Sequence, residues 1–235
     1  MKLLFKQILS IFLLAICLTS KLNAAVLTVE YSGFSQGSTN LNQTLDGTSR
    51  NAAAGMFDLD IINSDVPWIN QGSSIEAFCV ELDQFIITNT SVQYNIQTGM
   101  DFFNNSNQVE LIGRLYSSAF DSVLSQTDAS NQRIYSSAFQ IAMWELVYDF
   151  DAIDLVDNGY ITDTRTSRDS IRTLADSWLG NLVNVTNNYS FLVLQSDISQ
   201  DLIVAKENDI PVSTPSLIGL IALALFYIGW RVKQP

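Results

Sequence analysis

Apolar and polar residues alternate in several short runs along the first half of the chain, a pattern typical of half-buried β-strands. In residues 56–62, for example, Asp58 and Asp60 alternate with apolar neighbours. Residues 32–55 are rich in Ser, Asn, Thr and Gly, and this composition predicts loops and short hairpins. The predicted strands of this half are residues 26–31, 56–62, 75–87 (one long strand or a pair, centred on 77–82) and 92–96.

The pattern changes to helical spacing after residue 106. Residues 107–124 place Leu111, Ile112 and Leu115 on one face of a helix, and residues 131–150 and 167–182 show the same periodicity. Strand-like runs return at residues 189–194 and 201–205. This order of elements predicts an α+β fold: an antiparallel β-sandwich or barrel lobe with a helical insertion of about three helices, spanning residues 25–206.

The N-terminus has the three parts of a secretory signal peptide. Lys2 and Lys6 precede an apolar core at residues 8–18, and the small residue Ala24 ends a cleavage site, with a rival site after Ala25. We therefore expect residues 1–24 to form a signal helix that signal peptidase removes. The rest of the chain would then be exported.

The C-terminus predicts a short membrane segment. Residues 207–216 form a polar linker, residues 217–230 are apolar, and residues 231–235 carry Arg231 and Lys233. The apolar stretch is shorter than the ~20 residues of an ordinary span. The basic tail places the C-terminus in the cytoplasm and the main domain outside.

This three-part end resembles the PEP-CTERM class of sorting signals, which exosortase-type enzymes process. The resemblance rests on Pro-Val-Ser-Thr-Pro-Ser at residues 211–216, with prolines at Pro211 and Pro215, followed by the apolar helix and the basic tail. It implies an exosortase partner and an inner-membrane stage, and then a place at the cell surface or in the extracellular matrix. A plain tail anchor is the alternative.

Charge and histidine content exclude several functions. All 24 acidic residues lie between the two end segments, whereas five of the 12 basic residues lie within them, so the middle carries a net charge of −17. Such a domain repels nucleic acid. The chain has no histidine, which excludes histidine-based catalysis and zinc sites. The acidic turn at residues 149–157 lacks the EF-hand spacing, so we expect no metal and no cofactor.

Two short segments resemble the paired signatures of the thioester domain of Gram-positive surface adhesins. The first is Ala-Phe-Cys-Val-Glu at residues 77–81, which contains Cys79, the only cysteine of the mature chain. The second is Ala-Phe-Gln-Ile-Ala-Met-Trp-Glu-Leu at residues 138–146. Gln140, Ala142 and Trp144 match the family pattern, whereas Phe139 stands where the family has threonine.

The resemblance implies that the Cys79 thiolate attacks the side-chain carbonyl of Gln140, releasing ammonia and leaving a thioester. An amine on a surface or extracellular polymer would then attack this bond once, without enzymatic turnover. Trp144 lies one helical turn from Gln140 and would shield the bond, and Glu81 lies on the same strand face as Cys79 and would orient a nucleophile.

The residues also permit a simpler interpretation. A single cysteine on an apolar strand often serves as a small buried hydrophobe. In that case the chain would be a non-reactive structural protein of an exopolysaccharide or biofilm matrix. A hydrolase with paired carboxylates is a third class, for which the sequence contains no anchoring motif.

Overall fold

The computed structural model describes residues 25–45, 48–150 and 169–208. Ala24 of the predicted cleavage site, Pro211 and Pro215 of the sorting motif, and the basic residues Arg231 and Lys233 lie outside these ranges. Within the ranges described, the structure has no helix that is long and apolar enough to cross a membrane.

The domain combines a six-stranded antiparallel sheet with helices, as the sequence predicts. The elements are β1 Val26–Leu45, β2 Thr48–Ser64, β3 Ser74–Cys79, β4 Ser91–Thr98, α1 Gly99–Phe103, α2 Ser106–Leu124, α3 Ala129–Tyr148, α4 Asp169–Leu179, β5 Tyr189–Gln195 and β6 Leu202–Glu207, with a 3₁₀ turn at Leu182–Asn184. The strands pair in the order β1-β2-β3-β6-β5-β4, and β4 also pairs with β1. The helices follow β4 in the chain and precede β5, where the sequence predicts the insertion.

The prediction of loops and short hairpins over residues 32–55 is wrong in its loops and in the length of the hairpin, because residues 32–45 and 48–55 belong to the long paired strands β1 and β2. The register runs from Leu27 opposite Ser64 to Leu45 opposite Thr48, with shifts near Gly33 and between Phe34 and Ser38. Small polar residues give little local strand signal. Backbone pairing with the partner strand along the hairpin stabilises these strands, although their composition does not predict them.

The prediction of a strand or strand pair over residues 75–87 is also wrong beyond Cys79, where β3 ends. The ladder with β2 ends at Ala77, and the Val80 N–H donates to Asp201 O at 3.0 Å, in register with the pairing of β3 and β6. Residues 80–90 then follow an irregular path to β4. We call this segment the 80–90 loop.

The three predicted helices are confirmed as α2, α3 and α4 within the described residues, and side chains cap the N-termini of α2 and α3. Asn105 Oδ1 accepts the N–H groups of Asn107 and Gln108 at the start of α2, and Asp128 caps α3 in the same way. The Gln108 amide donates to the carbonyls of Leu146 and Val147 at the other end of α3. Residues 136–146 of α3 are all buried, so this helix crosses the centre of the domain.

Candidate functional site

The candidate site lies where the end of β3 meets the middle of α3. Cys79 is the last residue of β3 and is 1% exposed, and Gln140 on α3 is fully buried. The Cys79 N–H donates to Gln140 Oε1 at 2.9 Å, and Gln140 Nε2 donates to Cys79 O at 2.8 Å. The side-chain amide of Gln140 therefore bonds to both the N–H and the C=O of Cys79.

An aromatic stack fixes the register between the two elements. Phe78, which precedes Cys79, stacks on Phe139, which precedes Gln140, with ring centroids 4.4 Å apart and an interplanar angle of 30°. Tyr116 of α2 packs edge-on against Phe139 at 5.1 Å. Phe139 thus packs in the core and helps to align residues 79 and 140.

Two serines attach α3 to the β1–β2 hairpin next to the site. Ser136 Oγ accepts the Met56 N–H at 2.7 Å and donates to Gly37 O at 3.0 Å. Ser137 Oγ donates to Ala54 O at 3.0 Å. The ladder between β2 and β3 covers only residues 57–60 of β2, and the serine hydroxyls bond to the backbone of β2 just before that ladder begins.

The Cys79 sulfur is held by the chain immediately after it. Its Sγ donates to Glu81 O and accepts the Glu81 N–H at 3.3 Å. Burial raises the pKa of the Cys79 thiol to about 12, and the hydrogen bond to the Glu81 backbone opposes this rise without cancelling it. In its free form the thiol is therefore protonated at neutral pH.

Trp144 closes one side of the sulfur environment. The residue is 1% exposed, and its indole N–H also lowers the pKa of the thiol, although it lies outside the geometry of a full hydrogen bond. One turn further along α3, burial raises the pKa of the Tyr148 hydroxyl, and the negative charge of a Cys79 thiolate adds to that rise. The α3 face that carries Gln140 thus also carries the aromatic cover of the sulfur.

Two carboxylates lie on the other side of the site. The Asp201 N–H donates to Glu81 Oε2 at 3.1 Å, and Asp201 Oδ1 accepts the Ser196 N–H at 2.8 Å. Burial raises the pKa of Asp201 to about 6, the Ser196 N–H opposes the rise, and the charges of Glu81 and Asp197 add to it. Repulsion from Glu81 and Asp201 also raises the pKa of Cys79.

The structure brings together Cys79, Gln140, Trp144 and Glu81, the four residues that the sequence predicts for this site. It also adds Asp201 and Tyr148, which sequence reasoning missed. Asp201 lies 122 positions after Cys79 and follows no motif, so only the pairing of β3 with β6 indicates its place. In the described part of the chain, no three His, Cys, Asp or Glu side chains converge as metal ligands would.

Comparison with known proteins gives similarity at the level of fold. No protein-family model and no curated protein matches the sequence. The N-terminal domain of the pilus tip adhesin Cpa of Streptococcus pyogenes matches with a TM-score of 0.42 and 15% identity, over 81% of this chain and 97% of that one.

Two further solved structures are thioester domains. That of a Clostridium perfringens surface protein, in a cysteine-to-alanine variant, has a TM-score of 0.41 and 14% identity, over 64% of this chain and 88% of that one. That of a protein F2-like fibronectin-binding protein from Streptococcus pneumoniae has a TM-score of 0.45 and 12% identity, over 77% and 94%. These values describe a similarity of fold and carry no information on the chemistry of Cys79 and Gln140.

Proposed function

We propose that this chain is an exported surface or matrix adhesin that attaches covalently to amine-bearing targets through a thioester between Cys79 and Gln140. The observation that carries the proposal is the pair of hydrogen bonds between the Gln140 side-chain amide and the Cys79 backbone. These bonds hold the side-chain amide of a fully buried glutamine against the backbone of the residue whose thiol the thioester would use.

The bond would form by acyl transfer within the domain. The Cys79 sulfur adds to the Gln140 side-chain carbonyl carbon, the C–S bond forms, the C–N bond breaks, and ammonia leaves with the thiol proton. The Cys79 N–H already donates to Gln140 Oε1, and it would stabilise the negative charge that develops on this oxygen. The thiol must lose its proton in the process, and Glu81 and Asp201 are the nearby carboxylates.

The surroundings of the sulfur suit storage of a reactive bond. Cys79, Gln140 and Trp144 are each at most 1% exposed, so bulk water has little access to a thioester there. A target amine that reaches the site would form a new amide with the side-chain carbonyl of residue 140, the C–S bond would break, and one proton of the amine would pass to the Cys79 sulfur. Each molecule would react once, which distinguishes this activity from enzymatic turnover.

The proposal includes the route to the cell surface. Signal peptidase would remove residues 1–24, and an exosortase-type enzyme would process the PEP-CTERM-like end at the inner membrane. The acidic middle, with its net charge of −17, suits an extracellular module that attracts cationic amines. The mature domain would then act at the cell surface or in the extracellular matrix.

Intact-mass spectrometry of the exported protein tests the thioester directly. We expect a mass lower by one ammonia than that of the mature sequence, and no such deficit in Cys79→Ala or Gln140→Ala. Cys79 should resist alkylation after unfolding until the thioester is opened. A full mass, with Cys79 alkylated as soon as the protein is unfolded, would refute the proposal.

A second candidate is a non-reactive structural protein of an exopolysaccharide or biofilm matrix. The raised pKa of the buried Cys79 thiol favours it, because a protonated thiol is a poor nucleophile. On this alternative, Cys79→Ala and Gln140→Ala leave attachment of cells to the matrix unchanged, provided that the variants fold. Loss of attachment in both variants, with the fold retained, would favour the thioester.

A further inference from the structure

A cleft of about 710 Å³ opens beside the Cys79 site, between the outer half of the β1–β2 hairpin and the 80–90 loop. Its volume lies in the range of pockets that hold small organic ligands. Leu82 and Gln200 line this cleft, and both adjoin the residue that holds the sulfur. Gln200 Nε2 donates to Glu81 O at 3.0 Å, the same oxygen that accepts the Cys79 Sγ proton. The Glu81 carbonyl therefore contacts both a residue of the cleft lining and the thiol.

The cleft has an aromatic lining. The side chains of Tyr31, Phe34 and Phe57 pack against one another there, with ring centroids 5.0 to 5.9 Å apart. Phe85, from the 80–90 loop, also lines the cleft and is 88% exposed. A large aromatic side chain left this open to water gains free energy when an apolar partner covers it.

The polar groups at the rim are acidic or already paired. Arg50 Nη1 donates to Leu82 O at 3.0 Å and pairs with the Asp83 carboxylate, and these contacts attach the 80–90 loop to β2. The Asp83 side chain is 64% exposed at this rim, and Glu81 and Asp201 lie towards the sulfur. A ligand that enters the cleft would place its ammonium group near these carboxylates and its apolar group against the aromatic rings.

We infer that this cleft binds the target of the thioester, and that it takes an aromatic or bulky apolar group next to the reacting primary amine. The inference rests on the proposed function and adds the specificity of the same site. The apolar group lies against Tyr31, Phe34 and Phe85, and the amine points past Gln200 towards Cys79. After the ammonium group loses one proton, the new C–N bond forms, the C–S bond breaks, one of the two N–H protons left on the amine passes to sulfur, and the other stays on the amide nitrogen.

Two small amines of similar basicity test this specificity, 2-phenylethylamine and 2-methoxyethylamine. Protein exported from cells that express the full chain is incubated with each amine, and intact mass follows the adduct over time. Wild-type protein should react at least about fivefold faster with 2-phenylethylamine, because apolar pockets discriminate ligands by factors of this order. Because each protein is characterised by the ratio of its rates with the two amines, a change that affects thioester reactivity in general cancels out.

Two variants alter the cleft in different ways. Phe85→Ala removes an exposed ring, and Ala52→Leu fills space in the lining, so both should bring the rate ratio close to one. Ile198→Ala is the matched control, since this side chain is 69% exposed on the neighbouring turn and does not line the cleft. Its ratio should equal that of the wild type.

Each outcome has a definite meaning. Equal rates with both amines in the wild type, or a ratio that neither cleft variant changes, would overturn the cleft assignment while leaving the thioester in place. Absence of any adduct, together with absence of the ammonia deficit, would overturn the proposed function and this inference with it.

Discussion

Gln140 and Cys79 exchange two hydrogen bonds across the junction of α3 and β3, one from the Cys79 N–H to Gln140 Oε1 at 2.9 Å and one from Gln140 Nε2 to Cys79 O at 2.8 Å. The glutamine thus acts as a substitute for a neighbouring strand. The same two bonds hold its side-chain amide against the residue that carries the thiol. Structural and chemical roles of this residue therefore overlap, and the experiments must separate them.

We predict that Gln140→Ala is strongly destabilising even without any cross-link. In a Cys79→Ala background, it leaves the N–H and C=O of residue 79 buried without partners, and opens a cavity. The expected loss is about 2–4 kcal/mol in the free energy of unfolding. Urea denaturation measures it. Gln132→Ala, on the same helix, removes one half-buried bond to Gln126 O and should cost under about 1 kcal/mol. Equal losses in the two variants would contradict this account.

The serine contacts of α3 give a graded prediction. Ser136→Ala removes bonds to two backbone groups, Met56 N–H and Gly37 O, and should cost about 2–3 kcal/mol. Ser137→Ala removes a single bond to Ala54 O and should cost about 1 kcal/mol. The exposed Ser130→Ala serves as control, within about 0.5 kcal/mol of wild type. Chemical denaturation gives the order, and a Ser137 effect larger than that of Ser136 would be inconsistent with the contacts.

The free-thiol form should show a pH dependence caused by Cys79. Burial raises the thiol pKa from an ordinary value of 9.0 to about 12, so the unfolded chain loses its proton first as the pH rises. The contribution of this group is fully present below pH 9 and is lost as the pH rises towards 12. Compared with Cys79→Ala, the free-thiol protein should therefore lose stability as the pH rises above 9.0, as measured by urea denaturation at a series of pH values. A constant difference between the two proteins would contradict the raised pKa.

Asp201 should give the corresponding effect in acid. Its pKa is raised from 3.8 to about 6, so its contribution to stability is present below 3.8 and is lost as the pH rises through 6. Asp201→Asn keeps an oxygen that accepts the Ser196 N–H but carries no charge beside Glu81. The variant should therefore be more stable than wild type at pH 7.5 and similar to it at pH 3.5, measured by urea denaturation. Asp121→Asn, an exposed change on α2, is the matched control. Lower stability of Asp201→Asn at pH 7.5 would refute the assignment.

Much of the domain follows from local pattern. The apolar spacing of α2 and α3 predicts both helices to within two residues at each end, because each helix buries a periodic or continuous apolar surface. The closing strands β5 and β6 follow in the same way from their apolar runs. Cys79 and Gln140 are predicted from the paired motif alone, because they lie 61 positions apart with no local signal that joins them, and Asp201 and Tyr148 follow from no motif.

The sequence by itself determined the mixed strand and helix content, the acidic charge, the absence of histidine and the pairing of one cysteine with one glutamine as a hypothesis. Tertiary structure decided the rest. The β1–β2 hairpin exists because its polar strands pair with each other and bond to Ser136 and Ser137 of a distant helix. Strand β3 leaves its ladder with β2 at Ala77 and continues against β6, where the next N–H after Cys79 bonds to Asp201 O. The Phe78–Phe139 stack sets the register that brings Gln140 to Cys79. Each of these contacts joins residues far apart in the chain, and their free energy depends on packing that no local pattern encodes.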